Sequence, residues 1–367
     1  MTPAPTSTPT DVFALAAELV GVASESHHET EIADLVEVRL RATAPGLVVT
    51  RIGDNVVART ESGHERRIVL GGHLDTVPAN GNATPRVEGD TLHGLGSADM
   101  KGGIAVLLAL AEHAADARFD VSLVFYEAEE VAEEFNGLRT LFRDRPELVA
   151  GDLAILLEPT GGWVEAGCQG TLHVRAEFDG TRAHSARPWM GENAIHRAAD
   201  VLSRLAAHEA RPVEEQLVAV DGLEFRESLQ VVRIEGGIAN NVVPDSCAIV
   251  VNRRFAPRWS IEEAREQTEV LLAGADRITV LNASPAAPPN LTNPLVAEFI
   301  GTLDLAVRPK LGWTDVARFA AHGIPALNFG SGDPEIAHTM GELVTREAVE
   351  GCHAVLAQFL GIGPSVP

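Results

Sequence analysis

Two imidazoles and a set of carboxylates stand where apolar runs or glycine-rich turns end. His73-Leu74-Asp75 follows RRIVLGG, and Asp99 lies in GLGSADMKGG ahead of an apolar helical pattern. Glu127, Glu129 and Glu130 come after VSLVFY, Glu158 after LAILL, and His338 past ALNFGSGDPEIA. In an open α/β sheet ligands collect beyond the carboxyl ends of the strands, so these side chains are candidates for one rim. Bare carboxylates crowded there would repel, and burial would raise their pKa values. A divalent cation removes that conflict. Imidazole with carboxylate suits zinc, with cobalt or manganese as substitutes, and the donors outnumber one tetrahedral shell, which favours two ions. Asp75, two residues from His73, is placed to accept the other ring N–H and fix its tautomer.

The surrounding pattern supplies elements that could hold these groups. Asp11 is a plausible N-cap for a helix carrying Val12, Leu15, Ala16, Leu19 and Val20, and a second helical pattern runs from Glu31 to Leu40. The first ten residues read as a frayed tail. Short apolar runs at Ile68–Leu70, Val121–Tyr126, Leu153–Leu157 and Ala326–Phe329 read as buried strands, with a helix led by Gly102-Gly103 between the first two. Strands alternating with helices predict an α/β domain with a mixed, mostly parallel sheet covered by helices. From about Thr171 the order becomes strand, helix, strand, strand, helix, strand, the split unit of a small α+β domain. Pro285–Asn290 reads as its exit linker. The expected organisation is a discontinuous catalytic domain, 1–170 and 286–367, interrupted by an inserted domain at 171–285.

The chain has 29 Lys plus Arg against 52 Asp plus Glu, a formal net charge of −23. Such a surface repels phosphate backbones and anionic headgroups, and no basic run compensates, which argues against nucleic-acid and membrane-surface roles. Cys168, Cys247 and Cys352 are far apart and lack C-x-x-C spacing, so they read as reduced thiols. The opening MTPAPTSTPTD has no basic region followed by an apolar one, and no later stretch suits a bilayer span, so a cytoplasmic location is expected.

GGHLDTVP, GLGSADMKGG, Glu129-Glu130, LLEPT, TRAHSARPWMGENAIH, NNVVPDS and GDPEIAHTMGE together resemble the co-catalytic di-zinc amidohydrolases of the aminoacylase and carboxypeptidase clan. Within that clan the chain is most similar to the actinobacterial family of succinyl-diaminopimelate desuccinylases, the resemblance running from about Asp11 to His338. The resemblance implies that Asp99 bridges two zinc ions, with His73 and Glu158 completing one site and Glu130 and His338 the other. It implies Glu129 as general base, taking the proton of the attacking water and passing it to the leaving amine, and a non-proline cis bond after Asp99. It also implies an inserted domain that forms a homodimer and acts as a lid, through which His184 reaches across to the partner's reaction centre as oxyanion donor.

A substrate rich in carboxylates needs local cations on so acidic a protein. Arg254 in NRRFAP is the first choice, Asn240 and Asn241 could hydrogen-bond carboxylate or amide, and Arg187, Lys310 and Thr314 are further candidates. The expected reaction is release of succinate from N-succinyl-diaminopimelate for lysine and diaminopimelate synthesis. The alternatives are a deacylase of acetylornithine type, a dipeptidase of the same clan, or an acidic binding protein without turnover. HTMGE, beginning at His338, is closer to the related deacylases.

Overall fold

The computed structural model describes residues 10–362, so residues 1–9 of the expected frayed tail lie outside it. The chain forms two compact units. One runs to Ala166 and includes Asn290–Arg308 and the residues from Arg318 onward; the other comprises Gly167–Pro289 and Pro309–Ala317.

The larger unit is built on an eight-stranded sheet in the spatial order Val48–Ile52, Asn55–Arg59, Asp120–Tyr126, Arg67–His73, Leu153–Leu156, Ala326–Asn328, Val164–Ala166 and Val307–Pro309. The four strands from Asp120–Tyr126 to Ala326–Asn328 are parallel, and antiparallel strands flank them. Every residue of Asp120–Tyr126 and of Leu153–Leu156 is buried, which is why these strands read as continuous apolar runs without alternation. The helix Gly102–Ala111 is buried on all sides and packs between the sheet and the helices Val12–Val20 and Arg346–Leu360. Its glycines permit that approach: a Cβ at Gly103 would stand 2.7 Å from the main-chain oxygen of Leu157. Asp11 caps the first helix by accepting the Ala14 N–H at 3.0 Å, as its sequence position suggests. The second helix runs further than its apolar pattern, Thr30–Thr43, and buries Ile32, Ala33, Val36 and Leu40 on one face.

In the smaller unit four antiparallel strands lie in the order Ser228–Gly236, Ser246–Phe255, Gly170–Asp179 and Arg277–Ser284. Leu172, Val174, Ala176 and Phe178 alternate toward a core shared with Ile249 and Val251 and with Ala198, Val201 and Leu205 of the helix Ala194–Glu209. The helix Ile261–Leu271 starts from a complete capping box between Ser260 and Glu263. A hairpin, Leu217–Val220 with Leu223–Arg226, falls where the sequence reading placed no element. The segment Pro309–Ala317, which falls within the second stretch of the larger domain as read from sequence, clusters with this unit. It does so through the Gln169 N–H to the Lys310 oxygen at 3.2 Å and the Trp313 indole N–H to the Pro285 oxygen at 3.1 Å. No helix among the described residues is long and apolar enough to cross a membrane.

Candidate metal centre

Strand register brings the rim together. Tyr126 lies beside His73, so Glu127–Glu130 leave the sheet next to it on one side. On the other side Gly71 pairs with Leu156, which sets Glu158 level with His73. The Leu157–Glu158 turn is hemmed in by Gly103 and by Gly330, where a Cβ would collide with the oxygens of Leu157 and Glu158. His338 arrives on the loop after Ala326–Asn328, at a positive φ of 62°. Asp99 lies in the turn ahead of Gly102–Ala111, and the Asp99–Met100 peptide is cis.

Three groups of side-chain donors result among the described residues: His73, Asp99 and Glu158; Asp99, Glu130 and His338; and His73, Glu129 and Glu130. In each, one atom per residue lies within 4.8 Å of the others. Asp99 belongs to the first two and uses its oxygens separately: Oδ1 is 3.0 Å from His73 Nε2, and Oδ2 is 3.3 Å from His338 Nε2. Glu130 Oε1 is 2.7 Å from the same His338 nitrogen. Hydrogen bonds to Asp99 and Glu130 push His338 up to about 10. Burial opposes protonation of His73, but its bonds to Asp75 and Asp99 outweigh this and raise its pKa well above the imidazole norm. For Asp99 burial acts upward, and hydrogen bonds with His338 and His73 overcome it and hold the carboxylate ionised. Two nitrogens and three carboxylates converging in overlapping sets, one carboxylate common to both, fit a pair of divalent ions of zinc, cobalt or manganese type.

The Asp75 carboxylate faces His73 as expected and does more besides. The nearest acceptor to His73 Nδ1 is the Asp75 main-chain oxygen, at 3.0 Å, with the carboxylate at 3.4 Å. That carboxylate accepts the N–H groups of Glu129 and Glu130, both at 3.0 Å, and the Ser26 hydroxyl at 2.7 Å. Buried carboxylates need such donors. Two more carboxylates act on the same loops and were missed by sequence reasoning. Glu342 Oε1 accepts the N–H groups of Ala98 and Asp99 at 3.0 and 3.1 Å, and Glu29 accepts that of Ala128 at 3.0 Å. Glu342 closes the HTMGE stretch, so a signal existed; Glu29 in SESHHET had none. Glu127 turns away, accepting from the Asp54 N–H and the Asn55 amide, and joins none of the donor groups.

The remaining sequence candidates lie in the smaller unit. His184 pairs with Val242 in a short ladder, and the Ser185 N–H donates to the Asn241 oxygen at 2.9 Å, so His184, Arg187, Asn240 and Asn241 share one exposed end. His184 Nδ1 accepts the Ala186 N–H at 3.0 Å, which leaves Nε2 to carry the proton of the neutral ring. Arg254 is elsewhere, opposite Thr171 at the far end of Ser246–Phe255. It is half-buried, and among the described residues no carboxylate or hydrogen-bond acceptor meets its guanidinium, whereas neighbouring Arg253 bonds to Ala264, Thr268 and Gln267. Thr314 is buried, its main-chain oxygen accepting from the Ala317 N–H and from Cys168 Sγ.

A mixed sheet whose parallel core gathers overlapping imidazole and carboxylate sets at its carboxyl rim, beside a further glutamate, is the framework of a metal-dependent amide hydrolase. The chain belongs to the peptidase family M20/M25/M40, whose pattern matches residues 69–361. It is 44% identical over 359 residues to a Corynebacterium glutamicum protein named succinyl-diaminopimelate desuccinylase, covering 95% of this chain and 96% of that one. A Mycobacterium tuberculosis protein given the same name provisionally is 46% identical over 352 residues, covering 96% and 98% of the two chains. Among solved structures, a Staphylococcus aureus tripeptidase superposes with a TM-score of 0.77 at 21% identity, covering 96% of this chain and 98% of that one.

Proposed function

We propose that the protein releases succinate from N-succinyl-LL-2,6-diaminopimelate, using two zinc ions, for which cobalt can substitute. The observation that carries the reaction is Asp99 with one oxygen toward His73 and the other toward His338, a carboxylate placed to serve two cations at once. The names of the two nearly full-length relatives support the substrate. In this reading His73, Asp99 and Glu158 hold one ion, and Asp99, Glu130 and His338 the other. When bound, the ions supply Lewis acidity that acidifies water and polarises the amide carbonyl.

The chain's own residues do the rest. Glu129, near His73 and Glu130, takes a proton from the attacking water and delivers it to the leaving amine as the C–N bond breaks, giving succinate and diaminopimelate. Asp75 fixes the main chain of Glu129 for that task. His184, with its proton on Nε2, donates to the oxyanion. Arg254, which no carboxylate of the described residues meets, receives a substrate carboxylate, with Asn240, Asn241 and Arg187 as further contacts.

Homodimerisation through the smaller unit belongs to the same reading. Arg254 and His184 lie toward opposite ends of one sheet: Arg254 pairs with Thr171, while His184 follows the strand end where Ser246 pairs with Asp179. Eight strand residues separate those ends, about 26 Å at 3.3 Å per residue, too far for one small substrate to span. The two act on one molecule only if they come from two copies of the chain. The unpaired, buried state of Cys168, Cys247 and Cys352 supports a reducing, cytoplasmic setting.

The test is turnover of succinyl-diaminopimelate beside acetylornithine and a dipeptide by the zinc-loaded protein. Succinate release is expected to dominate; faster acetate release or peptide cleavage would replace this substrate with a relative's and leave the metal chemistry standing.

A further inference from the structure

We propose that Glu342 is a positioning residue for the metal pair, holding the main chain of Asp99 so that its two oxygens face His73 and His338. The inference rests on the metal reading above and extends it to a residue that touches neither ion nor substrate there. Glu342 is 1% exposed, and one of its oxygens accepts two consecutive N–H groups, those of Ala98 and Asp99. Its main chain works on the same turn. The Glu342 oxygen accepts the Gly94 N–H at 3.2 Å, and the Glu342 N–H donates to the Thr339 oxygen at 3.2 Å. Directly after it, Leu343–Thr345 pairs with Thr91–His93. The segment leaving His338 is thereby stitched to the segment entering Asp99, and Asn82 secures the first of these through the Thr339 oxygen at 3.0 Å.

The geometry gives this a consequence beyond stability. Asp99 serves both donor groups, so rotation of its main chain displaces one oxygen from His73 and the other from His338 together. Metal–ligand distances in a formed site fall within about 0.2 Å of their normal values, and groups that orient ligands change affinity about 10- to 100-fold when lost. Asp75 treats Glu129 and Glu130 in the same manner from the facing loop, so each side of the centre has one buried carboxylate spanning two successive N–H groups.

Zinc affinity of the full-length protein, measured by competition with a chromophoric chelator, tests this. E342D withdraws the carboxylate by one methylene and is expected to weaken zinc binding about 10- to 100-fold. E342M, of similar length but without an acceptor, is expected to do the same and serves if E342D does not fold. E342Q keeps an acceptor oxygen at full reach and should recover most of the affinity. The control is D120N. Asp120 is likewise buried and accepts the Thr60 hydroxyl and the Ser62, Gly63 and His64 N–H groups, but it starts its strand at the end away from the rim, so its loss should lower melting temperature without moving zinc affinity. Zinc binding by E342D or E342M equal to the parent, a drop in D120N as large as theirs, or an E342Q as weak as E342D would each overturn the proposal. A parent protein without tight zinc would overturn the functional reading and this inference with it.

Discussion

Nδ1 of His73 lies 3.0 Å from the main-chain oxygen of Asp75, closer than it lies to the Asp75 carboxylate. The ring is therefore held by a main-chain group that substitution cannot remove as well as by the carboxylate, and that carboxylate also organises Glu129 and Glu130. Asp75→Asn should keep both ions and lose about 10- to 100-fold in turnover, because a single amide oxygen replaces two acceptors. Metal analysis beside kcat checks this; loss of an ion in the variant would return the His73 tautomer to the carboxylate.

Glu129 and His184 can be separated by mixing. Glu129→Ala should retain metal and lose about 100-fold or more in turnover, the scale of a missing general base. His184→Ala should lose turnover with metal content unchanged. Co-refolded in equal amounts, the two variants should recover about a quarter of parental activity, since random pairing in a two-fold dimer makes half the dimers mixed with one intact centre each. No recovery would place His184 with the donor groups of its own chain.

Removing metal should cost stability as well as activity. Saturation at a thousand times Kd adds about 4 kcal/mol to a protein that binds the ions only when folded. The chelated protein should melt lower and turn over nothing, and zinc or cobalt should restore both. Unchanged melting on chelation would show that the carboxylates and imidazoles satisfy one another without cations.

The three thiols give a pH prediction remote from the rim. Burial pushes Cys168 up to about 11 and Cys352 up to about 12, and raises Cys247 as well. Their folded pKa values exceed the unfolded value of about 8.5, so the associated stability is complete below that pH and is lost as pH rises toward 11 to 12. At pH 8 a thiol-specific chromogenic reagent should leave the native protein unlabelled and titrate every cysteine in denaturant. Rapid labelling of the native protein would contradict the burial.

The sequence by itself determined the parallel core, because strands covered on both faces leave runs such as VSLVFY that need no tertiary context to be read. It also marked the rim, since residues following such runs must emerge at the carboxyl edge, and it gave the β-α-β-β-α-β order of the smaller unit. The tertiary structure decided which rim carboxylates meet. Glu127 follows the same strand as Glu129 and Glu130, yet the Asp54 N–H and Asn55 claim it, a contact between segments some seventy residues apart. The same holds for Glu29 and Glu342, whose partners Ala128, Ala98 and Asp99 are remote in sequence, and for the separation of Arg254 from His184. Hydrogen bonds to main-chain N–H groups leave no pattern in residue type at the donor position, because every residue but proline carries that donor, so only folding reveals which carboxylate fixes which loop.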